Sequence, residues 1–373
     1  MIMERDPRFP IICKEVLQRI PIIESVIVCG SRATSHGVKL SNSRSDYDIA
    51  IVMKAIIIPF YLRRIKEIED KLSKEFGVKV NLNPLPTFRI RNAKGNLFLF
   101  KMKREGIVIW GKDYISMLNS GSIKDIGIDW YFSYLSSLMK ELARSFDPSF
   151  MHEFGDRYSR QFAYSAAKAL LGCGELLLLL RRNYESKPNA IVSKLGECGL
   201  GGEIGNVGFL ESLRVASMVK QNSLAEVDDP LRFWFSARNC LLEMFRLLMR
   251  KLFHSYTIDL DKLIVEYLKM TRGRSLLKNV EYSALTFFMK KEVFLKALFG
   301  RSLVVDRMRA ALVWLLAAVK EDRSLLRERL EKAYYSLEDY TRIGYSNDDT
   351  VLWRNIRYTV LTYWPYACTV MGI

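Results

Sequence analysis

Two apolar runs, Val26-Ile27-Val28-Cys29 and Ile49-Ala50-Ile51-Val52, flank a polar stretch that opens with Gly30-Ser31 and closes with Ser45-Asp46-Tyr47-Asp48. Short apolar runs bounded by turn residues predict buried strands. Carboxylates at i and i+2 on a strand point to the same face, because side chains alternate with period 2. Asp46 and Asp48 would then repel each other, and a chain that keeps such a pair usually has a cation to put between them. Mg²⁺ is commonly held in this way, by one or two carboxylates completed by substrate phosphates and water. The small Gly30-Ser31 turn lets backbone N–H groups come close to a phosphate.

Gly-Ser at one strand end and Asp-x-Asp on the next strand resembles the nucleotidyltransferases of the DNA polymerase β superfamily. The likeness extends to Phe76-Gly77-Val78-Lys79-Val80-Asn81-Leu82, where that family has its third strand. It also extends to Glu105-Gly106-Ile107-Val108-Ile109-Trp110-Gly111, which looks like the Glu-Gly-aliphatic segment of many small members. Residues 8 to 115 carry the resemblance. It implies a Mg²⁺-dependent enzyme moving a nucleoside monophosphate from an NTP to an acceptor hydroxyl. Gly30 and Ser31 would hold the β- and γ-phosphates, and Asp46 and Asp48 one or two Mg²⁺ ions. Arg32, which follows Ser31 as in many small members, and Arg44 are candidate phosphate clamps, since guanidinium presents several donors in a fixed fork.

Two departures accompany the likeness. Fourteen residues separate Ser31 from Asp46, a longer loop than small members have. The family's third carboxylate falls at Asn81, whose amide oxygen can ligate a metal but cannot accept a proton as a general base. Two alternatives therefore stand beside the enzyme: a lapsed nucleotidyltransferase fold that binds nucleotide or nucleic acid, and an enzyme whose acceptor is a protein or a small molecule.

The 373 residues predict two or three domains. A hydrophobic content of 49% excludes a disordered chain. The net charge of +16 favours a polyanionic partner, nucleic acid first and an anionic membrane surface second. A Lys/Arg-rich surface of a heat-adapted protein is the blander account, and only three Gln residues (Gln18, Gln161, Gln221) lean that way. Residues 246–309 hold fourteen Lys or Arg against six Asp or Glu, a net of +8 and half of the chain's excess. The densest points are Arg272, Arg274, Lys290 and Lys291, with Phe287, Phe288 and Phe294 nearby. They read as an RNA-tracking groove or, equally, as a solvated helix face. Six scattered cysteines without a C-x-x-C pair exclude a zinc site of the usual spacing. The charged Met1–Pro10 segment lacks the apolar core of a secretory leader, and the longest apolar runs are shorter than a bilayer span. A soluble, cytoplasmic protein is the expectation.

The expected fold class is α+β: a mixed-sheet head over residues 1–115, a helical bundle over 116–256 and a basic helical region over 257–373. In the head, helices are predicted at Phe9–Ile20 and Pro59–Phe76, the second closed by Gly77, and strands at Ser25–Cys29, Asp48–Val52 and Ile107–Trp110. Pro84 and Pro86 should break the chain after the third strand. Further on, helical spacing covers Trp130–Phe146, Tyr158–Arg182, a helix capped by Asp229-Pro230, and segments at Asp259–Met270, Ser283–Phe299, Val304–Lys320 and Arg323–Thr341. The aromatic tail from Val351 should pack back.

Overall fold

The structure is a computed structural model, and it describes residues 6–34, 46–91, 93–148, 156–199, 208–221, 227–271, 304–322, 324–338 and 343–371. The chain divides into two compact units, Met1–Trp130 and Tyr131–Ile373. Together they make an α+β protein, a small mixed sheet in the first unit and helices throughout the second.

In the first unit, α1 (Arg8–Arg19) buries Phe9, Ile12, Cys13 and Val16, the i, i+3, i+4, i+7 stripe of an amphipathic helix. Strands β1 (Ser25–Cys29), β2 (Tyr47–Met53), β3 (Val80–Pro86) and β4 (Ile107–Gly111) form one sheet in the order β3-β2-β1-β4. β1 is antiparallel to β2 and β4, whereas β2 and β3 run parallel through the crossover helix α3 (Ile58–Phe76). Gly77 ends α3 at φ +65°, the left-handed cap that glycine adopts without strain. One face of the sheet, with Val26, Val28, Tyr47, Ile49, Ile51, Val80 and Leu82, packs under α1 and α3. The other face, with Ile27, Cys29, Ala50, Val52 and Leu85, packs against Ile90 of α4 (Thr87–Arg91) and Leu99 and Met102 of α5 (Leu97–Glu105).

Pro84 and Pro86 do not break the chain; β3 runs through both. The reason is parity. The N–H groups of Val80 and Leu82 turn away from β2 to Ser73 Oγ at 2.9 Å and Glu69 Oε1 at 2.7 Å, both on α3. Residues 84 and 86 share that outward parity on an edge strand, where a missing N–H costs no ladder hydrogen bond.

In the second unit α6 (Ile128–Ser145), α7 (Asp156–Leu180), α8 (Pro188–Glu197), α9 (Phe209–Gln221) and α10 (Pro230–Phe253) precede α11 (Leu260–Met270), α12 (Val304–Ala318), α13 (Arg327–Leu337) and α14 (Asp349–Met371). α7 packs against α10 and α9, and α12 against α13 and α14. A Cβ at Gly172 would lie 2.4 Å from Leu138 of α6, and one at Gly174 would lie 2.8 Å from Ile191 of α8. Both glycines let neighbouring helices come close to α7. Phe146, Phe162, Trp234 and Trp353 stack as one aromatic core from four parts of the chain. Arg354 of α14 grips Asp147 with two nitrogens, at 2.7 and 3.1 Å, so the tail does pack back.

Arg160–Leu180 of α7 has the length and composition to cross a membrane, in contrast to the short apolar runs of the sequence. Its most apolar stretch is 78% buried inside the structure, as befits the central helix of a bundle. α8 and α9 lay inside a region read only as helical in general. Gly196 lies within α8, and residues 200–207 lie outside the described residues. The Ser283–Phe299 helix lies outside them too. The expected boundary at 256/257 is not a unit boundary. Tyr267 of α11 and Arg309 of α12 share a buried cluster in which Tyr267 donates to Asp306 at 2.6 Å and Arg309 reaches Ser133 of α6. Removing any one of these partners would strand a buried polar group, so 131–271 and 304–371 hold together.

Candidate functional site

Strand register builds the site. Cys29 of β1 lies opposite Asp48 of β2, and Asp48 lies opposite Asn81 of β3. Opposed residues share a face, and here it is the face that also carries Ile27, Ala50, Val52 and Leu85. The Asn81 amide nitrogen donates to Asp48 Oδ1 at 2.9 Å. Asp46, just ahead of β2, follows the same parity as Asp48, and both are half-buried. At the end of β1, Gly30 has φ +69°, and a Cβ there would sit 3.1 Å from Asp48 Oδ2. Only a residue without a side chain leaves that carboxylate edge open. Ser31 follows at the start of α2 (Ser31–Thr34), a single helical turn in which Ala33 N–H donates to Gly30 C=O at 3.0 Å.

Arg32, expected as a phosphate clamp, has a side chain with 0% exposure, 3.7 Å from the Asp6 carboxylate and stacked 4.3 Å from the Tyr47 ring centre. Tyr47 and Asp48 are consecutive on a strand and so point to opposite faces. Arg32 therefore belongs to the face under α1, away from Asp48 and Asn81. There Tyr47 donates to Asp6, and Arg8 donates to the Tyr47 hydroxyl at 3.4 Å. Burial, then the hydrogen bond to Asp6, pushes the Tyr47 phenol up to about 12. Asp6, Arg32 and Tyr47 fasten α1 and the Gly30 turn to β2.

Glu105 was legible only as part of the Glu-Gly segment. Glu105 closes α5, and Gly106 joins it to β4, which pairs Ile107 with Val28 of β1. Burial, then the negative charge of Asp48, holds the Cys29 thiol well above the usual range, and Glu105 pushes the same way. Both carboxylates are thus within electrostatic reach of one buried atom. The signal for Glu105 is its place two residues ahead of β4, which carries meaning only once β4 is known to neighbour β1.

Among the described residues no three His, Cys, Asp or Glu side chains converge as a metal cluster. The protein donors here are two carboxylates and, with its amide turned over, the oxygen of Asn81. An all-oxygen set completed by phosphates suits Mg²⁺, and the gap that Gly30 leaves beside Asp48 Oδ2 fits an incoming ion. Arg44, Arg272, Arg274, Lys290 and Lys291 lie outside the described residues. No family model, curated protein or solved structure matches the chain.

Proposed function

We propose that the first unit is a Mg²⁺-dependent nucleotidyltransferase, moving a nucleoside monophosphate from an NTP to an acceptor hydroxyl, with RNA as the acceptor class favoured by the +16 net charge. The observation that carries this reading is the meeting of Gly30, Asp48 and Asn81 at one end of a mixed sheet. The backbone at Gly30 and Ser31 would cradle the β- and γ-phosphates. Mg²⁺ held by Asp46 and Asp48 would neutralise charge on the α-phosphate. The acceptor oxygen attacks phosphorus in line, a new P–O bond forms, the α–β bridging bond breaks, and pyrophosphate leaves with the electron pair. Asn81 cannot take the acceptor's proton. Glu105, at the end of α5 and two residues ahead of the strand that pairs with β1, is the candidate for that proton.

Incubating the purified chain with Mg²⁺ and each of the four α-labelled NTPs, with and without total cellular RNA, tests the reading. Label should move to RNA, and the Asp46→Asn/Asp48→Asn pair should abolish transfer. Full transfer by that pair would overturn it.

A second reading has its own support. The Asn81 amide occupies an oxygen of Asp48, as a site that has lost its chemistry would allow. NTP binding that needs Asp46 and Asp48, with no turnover on any acceptor, would favour this nucleotide-binding protein instead.

A further inference from the structure

An open groove of about 600 Å³ lies in the second unit between α11 and α13, floored by Arg307 and Trp314 of α12. One face of α11 supplies Lys262, Val265, Glu266 and Lys269, the i, i+3, i+4, i+7 spacing of a single helical stripe. α13 supplies Lys332 and Tyr335.

The charges do not cancel. Asp261 is taken by Lys332 at 2.8 Å and by the Trp314 indole N–H at 3.0 Å. Glu266 accepts from the hydroxyls of Ser255 and Thr257. Those hydrogen bonds, Ser255 first, lower its pKa, so it stays ionised and internally satisfied. Lys262 and Lys269 are exposed, and neither ammonium forms an ion pair within the described residues. They stand two helical turns apart, about 10 Å along the axis. Between and opposite them, the Val265 side chain is 44% exposed and the Tyr335 ring 53% exposed.

We propose that this groove binds a single-stranded nucleic acid, with Lys262 and Lys269 against successive phosphates and a base stacked on Tyr335. Cations that track a backbone beside an exposed aromatic face are the combination such ligands require. A segment of acidic residues alone would use the lysines but has no flat group to lay on the exposed ring. The groove's open side suits a polymer better than an enclosed small molecule. The assignment stands on the second unit alone and is measured without NTP, so its failure is separable from that of the transfer reading.

Fluorescence anisotropy of a labelled twelve-nucleotide single-stranded RNA, titrated with the full chain in EDTA at several salt concentrations, tests it. Lys262→Glu/Lys269→Glu should weaken binding at least tenfold and reduce the salt slope by roughly 1 to 1.5. Tyr335→Ala should weaken it about five- to a hundredfold with an unchanged slope. Lys251→Glu, an exposed change on α10 outside the groove, should alter neither. The substituted residues are exposed, and unchanged melting temperatures would establish that the variants fold. Absence of binding by the natural chain, or binding indifferent to both groove variants, would overturn the proposal. So would displacement of the RNA by polyglutamate at equal charge combined with no effect of Tyr335→Ala, which would assign the groove to an acidic protein segment.

Discussion

Asn81 donates its amide to Asp48 at 2.9 Å across the parallel β2–β3 pair, so the carboxylate is held by a neutral partner where a second carboxylate would repel it. Asn81→Asp reverses that relationship. Without Mg²⁺ the variant should melt lower, because two carboxylates then share one site. Addition of Mg²⁺ should restore the melting temperature to that of the natural chain or above. If the site turns over, the rate should rise by as much as 10²-fold. Thermal scans with and without Mg²⁺ check the first part, and label transfer the second. Insensitivity of the variant to Mg²⁺ would count against a cation site at Asp48.

Gly30 allows no side chain. At φ +69° an alanine enters the left-handed region, and its Cβ meets Asp48 Oδ2 at 3.1 Å. The backbone cost alone is about 1–2 kcal/mol. Gly30→Ala should therefore destabilise by at least that amount in urea titrations and weaken NTP binding. Gly77→Ala, at φ +65° with nothing within 4 Å of its Cβ, is the matched control. It should show the backbone cost and leave NTP binding alone.

Arg32 acts on the fold. Its loss leaves the Asp6 carboxylate, itself 2% exposed, without the buried cation beside it. Arg32→Ala should cost roughly 3 kcal/mol, the scale for breaking a buried pair. Asp6→Asn/Arg32→Ala should recover part of it. A phosphate clamp behaves differently, since its loss raises KM while the unfolding midpoint stays put. Denaturant titration beside an NTP titration separates the two.

These cases show where the sequence speaks and where it falls silent. Ser25–Cys29 was legible to the residue, because an apolar run closed by Gly30 has one simple meaning. The helix capped by Asp229 was equally plain, and its side chain does accept from Arg232 N–H at 2.8 Å. The i, i+2 carboxylates set one face without any knowledge of the sheet. The face of Arg32 was not legible, because the residues after a turn have no fixed parity, and it is decided by contact with Tyr47. β3 misled for a related reason: Pro84 and Pro86 forbid a central strand but permit an edge strand, and sheet order is a tertiary fact. α5 is not legible in the sequence, because Leu97-Phe98-Leu99-Phe100 is apolar without period. Its one local clue was Asn96, which caps the helix by accepting from Leu99 N–H at 3.0 Å.

Glu69 gives the fold a pH signature. Burial raises its pKa from the ordinary 4.5, opposed by the hydrogen bond from Leu82 N–H and by Lys66. An acid whose folded pKa lies above its unfolded value contributes stability below the unfolded value, and that contribution is lost as pH rises through the folded one. Glu69→Gln removes this dependence and keeps an oxygen for Leu82. The stability of the variant relative to the natural chain should therefore increase between pH 4 and pH 7. Urea midpoints of both proteins across that interval measure it, and a constant difference would contradict the raised pKa.

Glu105 offers the sharpest chemical test, because its role in the transfer reading is separable from metal and nucleotide binding. It closes α5 two residues ahead of β4, whereas Asp48 and Asn81 lie on β2 and β3, and among the described residues no three carboxylates converge. Removing its charge should therefore leave Mg²⁺-dependent NTP binding intact. As the group that takes the acceptor's proton, it should contribute about 10²–10⁴-fold to turnover. Glu105→Gln should then lower kcat by that factor with little change in the Kd for NTP. Adding Asn81→Asp in the same chain supplies a carboxylate at the other flank of Asp48 and should return part of the lost rate. A kcat unaffected by Glu105→Gln would remove the proton-transfer role from Glu105. A parallel loss of NTP binding would instead make Glu105 part of the architecture that shapes the Gly30 turn.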